Sequence, residues 1–237
     1  MQLLRMPKTV CWILTCAVIF LLVMSGYRLG LSWFFNYFSI SKAEINTTFW
    51  TGFRFDARII GGFSLLMLLL SFWPGMHFFK TSLGRNTALC FYGLFTLILT
   101  LVYTADAVSV FVLKTRLTGT LISDLVKNTQ NGVLFKTGAP WFLITLIVIL
   151  FVFFLFLVFK TLHGRISKKK SAYSDTKYPR VTWQIAMILM CAIGVYGTVN
   201  MRPLTANSFV TKVSPQSFQL AINPLESFIY TMPKIEL

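Results

Sequence analysis

The feature that most limits what this chain can fold into is the run from Trp141 to Phe159, nineteen residues with one polar side chain, Thr145, and no charge. As a helix at about 1.5 Å per residue the run would reach about 28 Å, close to the roughly 30 Å hydrocarbon core of a bilayer. Lys160, Arg165, Lys168, Lys169 and Lys170 follow at once, with Lys177 and Arg180 behind them. A helix in a soluble core would carry a polar stripe, which this run lacks. A basic cluster after a span marks a cytoplasmic loop. The run therefore reads as a transmembrane helix with a cytoplasmic C-terminal end.

Composition agrees: 56% of residues are hydrophobic, 12% are charged, and the mean hydropathy is +0.70, outside the range of ordinary soluble domains. The net charge of +15 does not point to nucleic acid, because the basic residues sit at the ends of apolar runs, where they face headgroups and fix topology. Cys11, Cys16, Cys90 and Cys191 lie inside apolar runs without CxxC spacing, so they read as small buried hydrophobes.

In chain order, Arg5 and Lys8 precede an apolar run and a first helix from about Thr9 to Leu29; no A-x-A-like site follows to make it a cleaved signal. Trp33, Phe34, Phe35, Tyr37 and Phe38 read as an interfacial segment. Asn46-Thr47-Thr48 matches the glycosylation pattern, a frequent chance match. A second apolar run, Ile59 to Trp73, is opened by Arg54, Asp56 and Arg58 and ended by Pro74-Gly75. His77, Lys80 and Arg85 fall in the next loop, and Ala88 to Val112 forms a third run, with Asp106 towards its far end. Lys114 to Thr118 and Leu121 to Val126 read as an amphipathic surface segment. Val181 to Val199 is a fifth run, with Gly194 and Gly197 suited to close helix packing.

The expected fold is thus an all-α polytopic membrane protein: a domain over 1–199 with five transmembrane helices plus short interfacial helices, then an extracytoplasmic linker over 200–237. Seven basic residues within the twenty-one from Lys160 to Arg180 fix the orientation, since short, dense loops weigh most. The N-terminus is cytoplasmic and the tail external.

That orientation gathers Arg54, Asp56, Arg58, Tyr103, Asp106, Arg116 and Arg202 at one outer belt. Arg54 and Arg58, four apart, share a helix face, and so do Tyr103 and Asp106. An acid at a bilayer boundary is costly unless paired, so Asp106 is expected opposite Arg54 or Arg58. Such a belt serves either as a structural ion pair or as a pocket for an anionic lipid headgroup, with arginine on the phosphate.

Four short stretches carry a resemblance: Gly52-Phe53-Arg54-Phe55-Asp56, Asp106 with Arg116 ten residues on, Arg202-Pro203-Leu204, and Gln219-Leu220-Ala221-Ile222-Asn223-Pro224-Leu225. Together they resemble the membrane portion of the lipoteichoic acid synthase family, and the Arg202-Pro203-Leu204 and Gln219 to Pro224 elements look more like its broad bacterial branch of sulfatase-like phosphoglycerol transferases. The resemblance implies a bacterial plasma membrane. It also implies an external catalytic domain of the alkaline phosphatase superfamily, with a threonine or serine nucleophile and a divalent metal such as manganese, acting on phosphatidylglycerol. Glu226 stands where that pattern would have an apolar residue.

No cofactor is expected in this chain. His77 and His163 fall in loops, and the seven carboxylates are scattered, whereas metal-assisted phosphoryl transfer needs converging ligands beside a nucleophile. The chain stops at Leu237, where the resemblance places the start of the catalytic domain, so it reads as the membrane half of such an enzyme: truncated, split by a frameshift, or encoded separately. Its expected partners are membrane lipids, anionic phospholipid among them, and a sulfatase-like domain in cis or on another chain. A non-enzymatic scaffold or lipid-binding subunit is the alternative; a transporter is disfavoured because no helix centre carries a charge.

Overall fold

Seven helices form among the residues that the computed structural model describes, 6–34, 42–73, 75–113, 116–119, 141–168, 177–196 and 215–231. They are α1 (Lys8–Phe34), α2 (Lys42–Leu70), α3 (Ser82–Leu113), α4 (Trp141–Lys168), α5 (Lys177–Tyr196), α6 (Pro215–Ala221) and α7 (Pro224–Thr231). Most outrun the apolar stretches that announced them. Helix propensity and packing carry the backbone past the last apolar residue, and lysine and arginine are themselves good helix formers. Thus α1 continues through Ser25-Gly26-Tyr27-Arg28, and α4 takes Arg165 and Lys168 into its last turn, where positive charge suits the helix dipole. His163 accordingly lies within α4 rather than in a loop. Arg54, Asp56 and Arg58 sit inside α2, which starts at Lys42, instead of opening it.

The ends have local causes. The backbone N–H of Gly84 donates to Thr81 Oγ1 (3.1 Å), which makes Thr81 the N-cap of α3. Gly75, after α2, has φ of 87°, a conformation that L side chains rarely adopt, so the turn there requires glycine.

Among the described residues three helices are long and apolar enough to cross a membrane: Lys8–Trp33, Ser82–Phe111 and Phe142–Lys168. α4 leaves Phe142, Ile147, Ile149, Leu150, Phe153 and Phe154 exposed, an apolar surface suited to lipid. The chain is in this sense a multi-pass, all-α membrane protein. The other two expected spans fall short of that measure. α2 carries Glu44, Arg54, Asp56 and Arg58, and its apolar part from Ile59 to Leu70 rises only about 18 Å. The apolar part of α5 is Val181–Tyr196.

The chain divides into two compact units, one of Met1–Gly26, Asp56–Thr96 and Phe153–Leu204, the other of Tyr27–Phe55, Leu97–Val152 and Thr205–Leu237. The first is built around aromatic rings. Trp12 is fully buried, with Tyr92 at 4.6 Å, Phe78 at 5.9 Å and the His163 ring at 5.3 Å. Phe20 packs edge-on against Phe63 and Phe95 and lies 5.1 Å from Phe159. His163 stacks on Phe79 at 4.4 Å and its Nε2 meets the Phe78 carbonyl at 2.9 Å, so it is a packed core side chain. Lys8 Nζ donates to the Ser167 carbonyl in the last turn of α4 (2.7 Å). α2 and α5 approach closely through Gly61 and Gly194. A Cβ on Gly61 would lie 3.1 Å from the Cys191 carbonyl oxygen, and one on Gly194 3.2 Å from that of Ala57. Small residues at that crossing let the backbones meet. Gly197 lies outside the described residues.

Candidate functional site

The second unit is organised by buried charge. Among the described residues one apolar cluster here joins Leu31, Val110 and Leu220, with Tyr27 and Phe49 packed against them. Beside it Asp106, fully buried on α3, accepts from three donors. Arg116 Nε lies 2.9 Å from each carboxylate oxygen, the Leu117 N–H donates to Oδ1 at 2.9 Å, and the Tyr27 hydroxyl donates to Oδ2 at 2.6 Å. Tyr103, one turn before Asp106, sets its ring edge-on to Tyr27 at 4.7 Å. These three hydrogen bonds offset the cost of burying the carboxylate. The chain after α3 therefore turns back inward at 116–119. Arg116 and Leu117, expected on a surface segment, are buried because their side chain and backbone supply Asp106 with its donors. Leu121 to Val126 lies outside the described residues.

Arg116 has guanidinium donors to spare, and these reach the end of α6. Its Nη1 donates to the Gln219 carbonyl (2.7 Å) and its Nη2 to that of Ile222 (3.3 Å). Arg28, buried on α1, takes the carbonyls between: Nε to Leu220 (3.1 Å) and Nη2 to Ala221 (3.4 Å), with Nη2 also reaching Gly52 on α2 (3.1 Å). The last carbonyls of a helix have no intrahelical partner and carry its negative pole. Two arginines thus satisfy all four from 219 to 222, donating to them in the order Arg116, Arg28, Arg28, Arg116. Gly52 makes room: a Cβ there would stand 2.5 Å from the Arg28 guanidinium carbon and 2.9 Å from the Ala221 oxygen.

The start of α6 is held too, by the Ser217 hydroxyl donating to the Glu44 carboxylate of α2. Asn223 then caps α7: its Oδ1 accepts the Glu226 N–H (2.8 Å), with Pro224 at the first helical position. Glu226 falls in the first turn of α7, where an acid complements the dipole, so its presence in place of an apolar residue has a local reason.

Of the residues singled out in the sequence, Tyr103, Asp106 and Arg116 come together here, and the ion pair observed for Asp106 is with Arg116. Arg54 belongs to this unit as well and is half-buried; Asp56, buried, and Arg58, half-buried, belong to the other. Arg202 lies outside the described residues. Sequence reasoning passed over Arg28, Tyr27 and the role of Gly52. A signal for Arg28 existed: it is a charge in an otherwise apolar helix, which needs a partner inside the protein.

Chemically the arrangement holds and orients backbone. Among the described residues no group of three or more His, Cys, Asp or Glu side chains is placed to hold a metal ion, so none of them is assigned to manganese. Compared with protein-family models, with curated proteins and with solved structures, the chain gave no match.

Proposed function

We propose that this chain is the membrane-embedded, lipid-proximal part of a lipoteichoic acid synthase-like phosphoglycerol transferase, an anchor that holds its own tail in a fixed pose towards an external sulfatase-like catalytic domain. One observation carries the proposal. Gly52, Asp106, Arg116 and the 219–222 carbonyls come from three of the four sequence stretches that resemble that family, and they meet in one buried clamp. A clamp of this kind suits an anchor, because a domain attached beyond a fixed tail stays at headgroup height. It then meets a lipid donor in two dimensions, which raises the effective concentration.

Five spans, a cytoplasmic N-terminus and an external tail belong to the proposal. In the first unit Lys8, Arg85 and Lys160 stand at the ends of apolar stretches, as residues on the cytoplasmic side would. Ser171→Cys is expected to be shielded from an impermeant thiol reagent in intact cells and Ser208→Cys to be labelled; the reverse would reject the orientation.

The decisive assay uses the purified chain, fluorescent phosphatidylglycerol and manganese. The 237 residues alone are expected to give no turnover, and turnover is expected once a sulfatase-like domain is joined after Leu237. Activity from the chain alone would refute the proposal.

A further inference from the structure

A different place in the molecule, remote in sequence from the tail clamp, has the make-up of a ligand site. In the first unit the start of α3 and the end of α4 run antiparallel: Gly93 faces Phe156, where an added Cβ would sit 3.5 Å from the ring. Towards the α3 N-terminus the two helices leave a groove of about 680 Å³, within the usual size range of small-molecule sites. Arg85, Asn86, Leu89, Phe156, Lys160 and His163 line it.

The lining changes character along the helix axis. Arg85 precedes Leu89 by one turn and Lys160 follows Phe156 by one turn, so on both helices cation and apolar residue are about 6 Å apart in depth. The register set by Gly93 against Phe156 puts Lys160 level with Leu89 and Arg85 one turn further towards the α3 N-terminus, so both cations lie on the outer side of Phe156. Both helices are long and apolar enough to cross a membrane, and Lys160 is the first charge after the apolar run of α4. This places the change of polarity where headgroup gives way to hydrocarbon. Like charges that line one groove attract an anion, and an arginine beside a lysine and an amide suits a phosphodiester.

We propose that this groove between α3 and α4 binds an anionic phospholipid, its phosphate held by Arg85 and Lys160 and an acyl chain laid along Leu89 and Phe156. A phospholipid supplies both halves of that pattern, whereas a free phosphate would leave the apolar half uncovered.

Cys90, an exposed groove residue, gives a local readout. The purified chain in non-ionic detergent is treated with a small maleimide, and labelling of the Cys90 peptide is followed by mass spectrometry at rising lipid concentration. Phosphatidylglycerol is expected to slow Cys90 labelling several-fold, while phosphatidylcholine and glycerol phosphate leave it unchanged. The pair Arg85→Gln and Lys160→Gln should weaken apparent affinity about 10- to 30-fold. The pair Arg165→Gln and Lys168→Gln, with the same loss of charge outside the groove, should leave it unchanged. An added Cβ on Gly164 meets nothing within 4 Å, so Gly164→Leu sets an apolar side chain in the groove lining and should weaken binding at constant charge. That variant decides the matter if the charge variants do not fold. Equal weakening by both charge pairs, no effect of Gly164→Leu, or equal protection by phosphatidylcholine or glycerol phosphate would overturn the proposal.

Discussion

The two units solve the same problem with different chemistry. The first is held by rings: Trp12, Phe20, Tyr92 and Phe159 interlock between long helices whose backbone groups are already satisfied. The second sets the buried charges Arg28, Asp106 and Arg116 among its described residues beside the apolar cluster of Leu31, Val110 and Leu220. The difference follows from what each must hold. Helices that satisfy their own hydrogen bonds need only shape-complementary contact, since lipid tails are as apolar as their side chains. α6, with seven residues, leaves a large share of its carbonyls without partners, and burying them requires donors. Arginine supplies several donors from one side chain in a fixed fork, so two of them suffice.

The largest effect should come from removing the acid on which one of those arginines depends. Asp106→Ala leaves the Arg116 guanidinium buried without its counter-charge, and unfolding stability in detergent should fall by about 3–5 kcal/mol. Arg116→Ala should cost about as much, and the double variant much less than the sum. Strictly additive losses would break the picture of a single clamp.

Next comes Gly52→Ala. The new methyl group displaces the Arg28 side chain from three carbonyls, with an expected loss of about 2–3 kcal/mol. Hydrogen exchange should separate the two units, with faster exchange over 215–231 and unchanged protection over the Trp12–Phe20 part of α1. Unaltered exchange over 215–231 would show that Arg28 does not hold the tail.

Phe20→Leu is the counterpart in the first unit. It forfeits edge-to-face contacts with Phe63 and Phe95, for a loss of about 1–2 kcal/mol, and the exchange pattern should invert. Smallest is Asn223→Ala, which removes the cap of α7 and should cost about 1 kcal/mol, while Asn223→Ser keeps an acceptor and should recover most of it. Equal melting temperatures for the wild-type, alanine and serine chains would argue that the cap contributes nothing.

Whatever depends on short-range composition was legible along the chain. The uninterrupted apolar run Trp141 to Phe159 is long enough to cross a bilayer as a helix, an element that satisfies its own backbone within one segment. Asp106 and Arg116, an acid and a base beside an apolar run, were legible as a belt because a lone charge in that setting is costly. Which residues the belt joins was decided by tertiary structure. Asp106 turned from the expected Arg54 or Arg58 to Arg116, because the chain after α3 folds back and brings a guanidinium and the Leu117 N–H to the same carboxylate. Arg28 was hidden for a similar reason. Read along the chain, Ser25-Gly26-Tyr27-Arg28 looks like the end of a span, and only the packing of α6 against α1 and α2 supplies the carbonyls that let a charge remain in mid-helix. His163 went the same way, from loop to core, once Phe78 and Phe79 gave it a carbonyl and a ring. Spacing fixes which residues share a helix face; what lies opposite that face depends on chain closure over a hundred residues or more, as in the Arg116 to Gln219 bond, and local pattern carries no record of it.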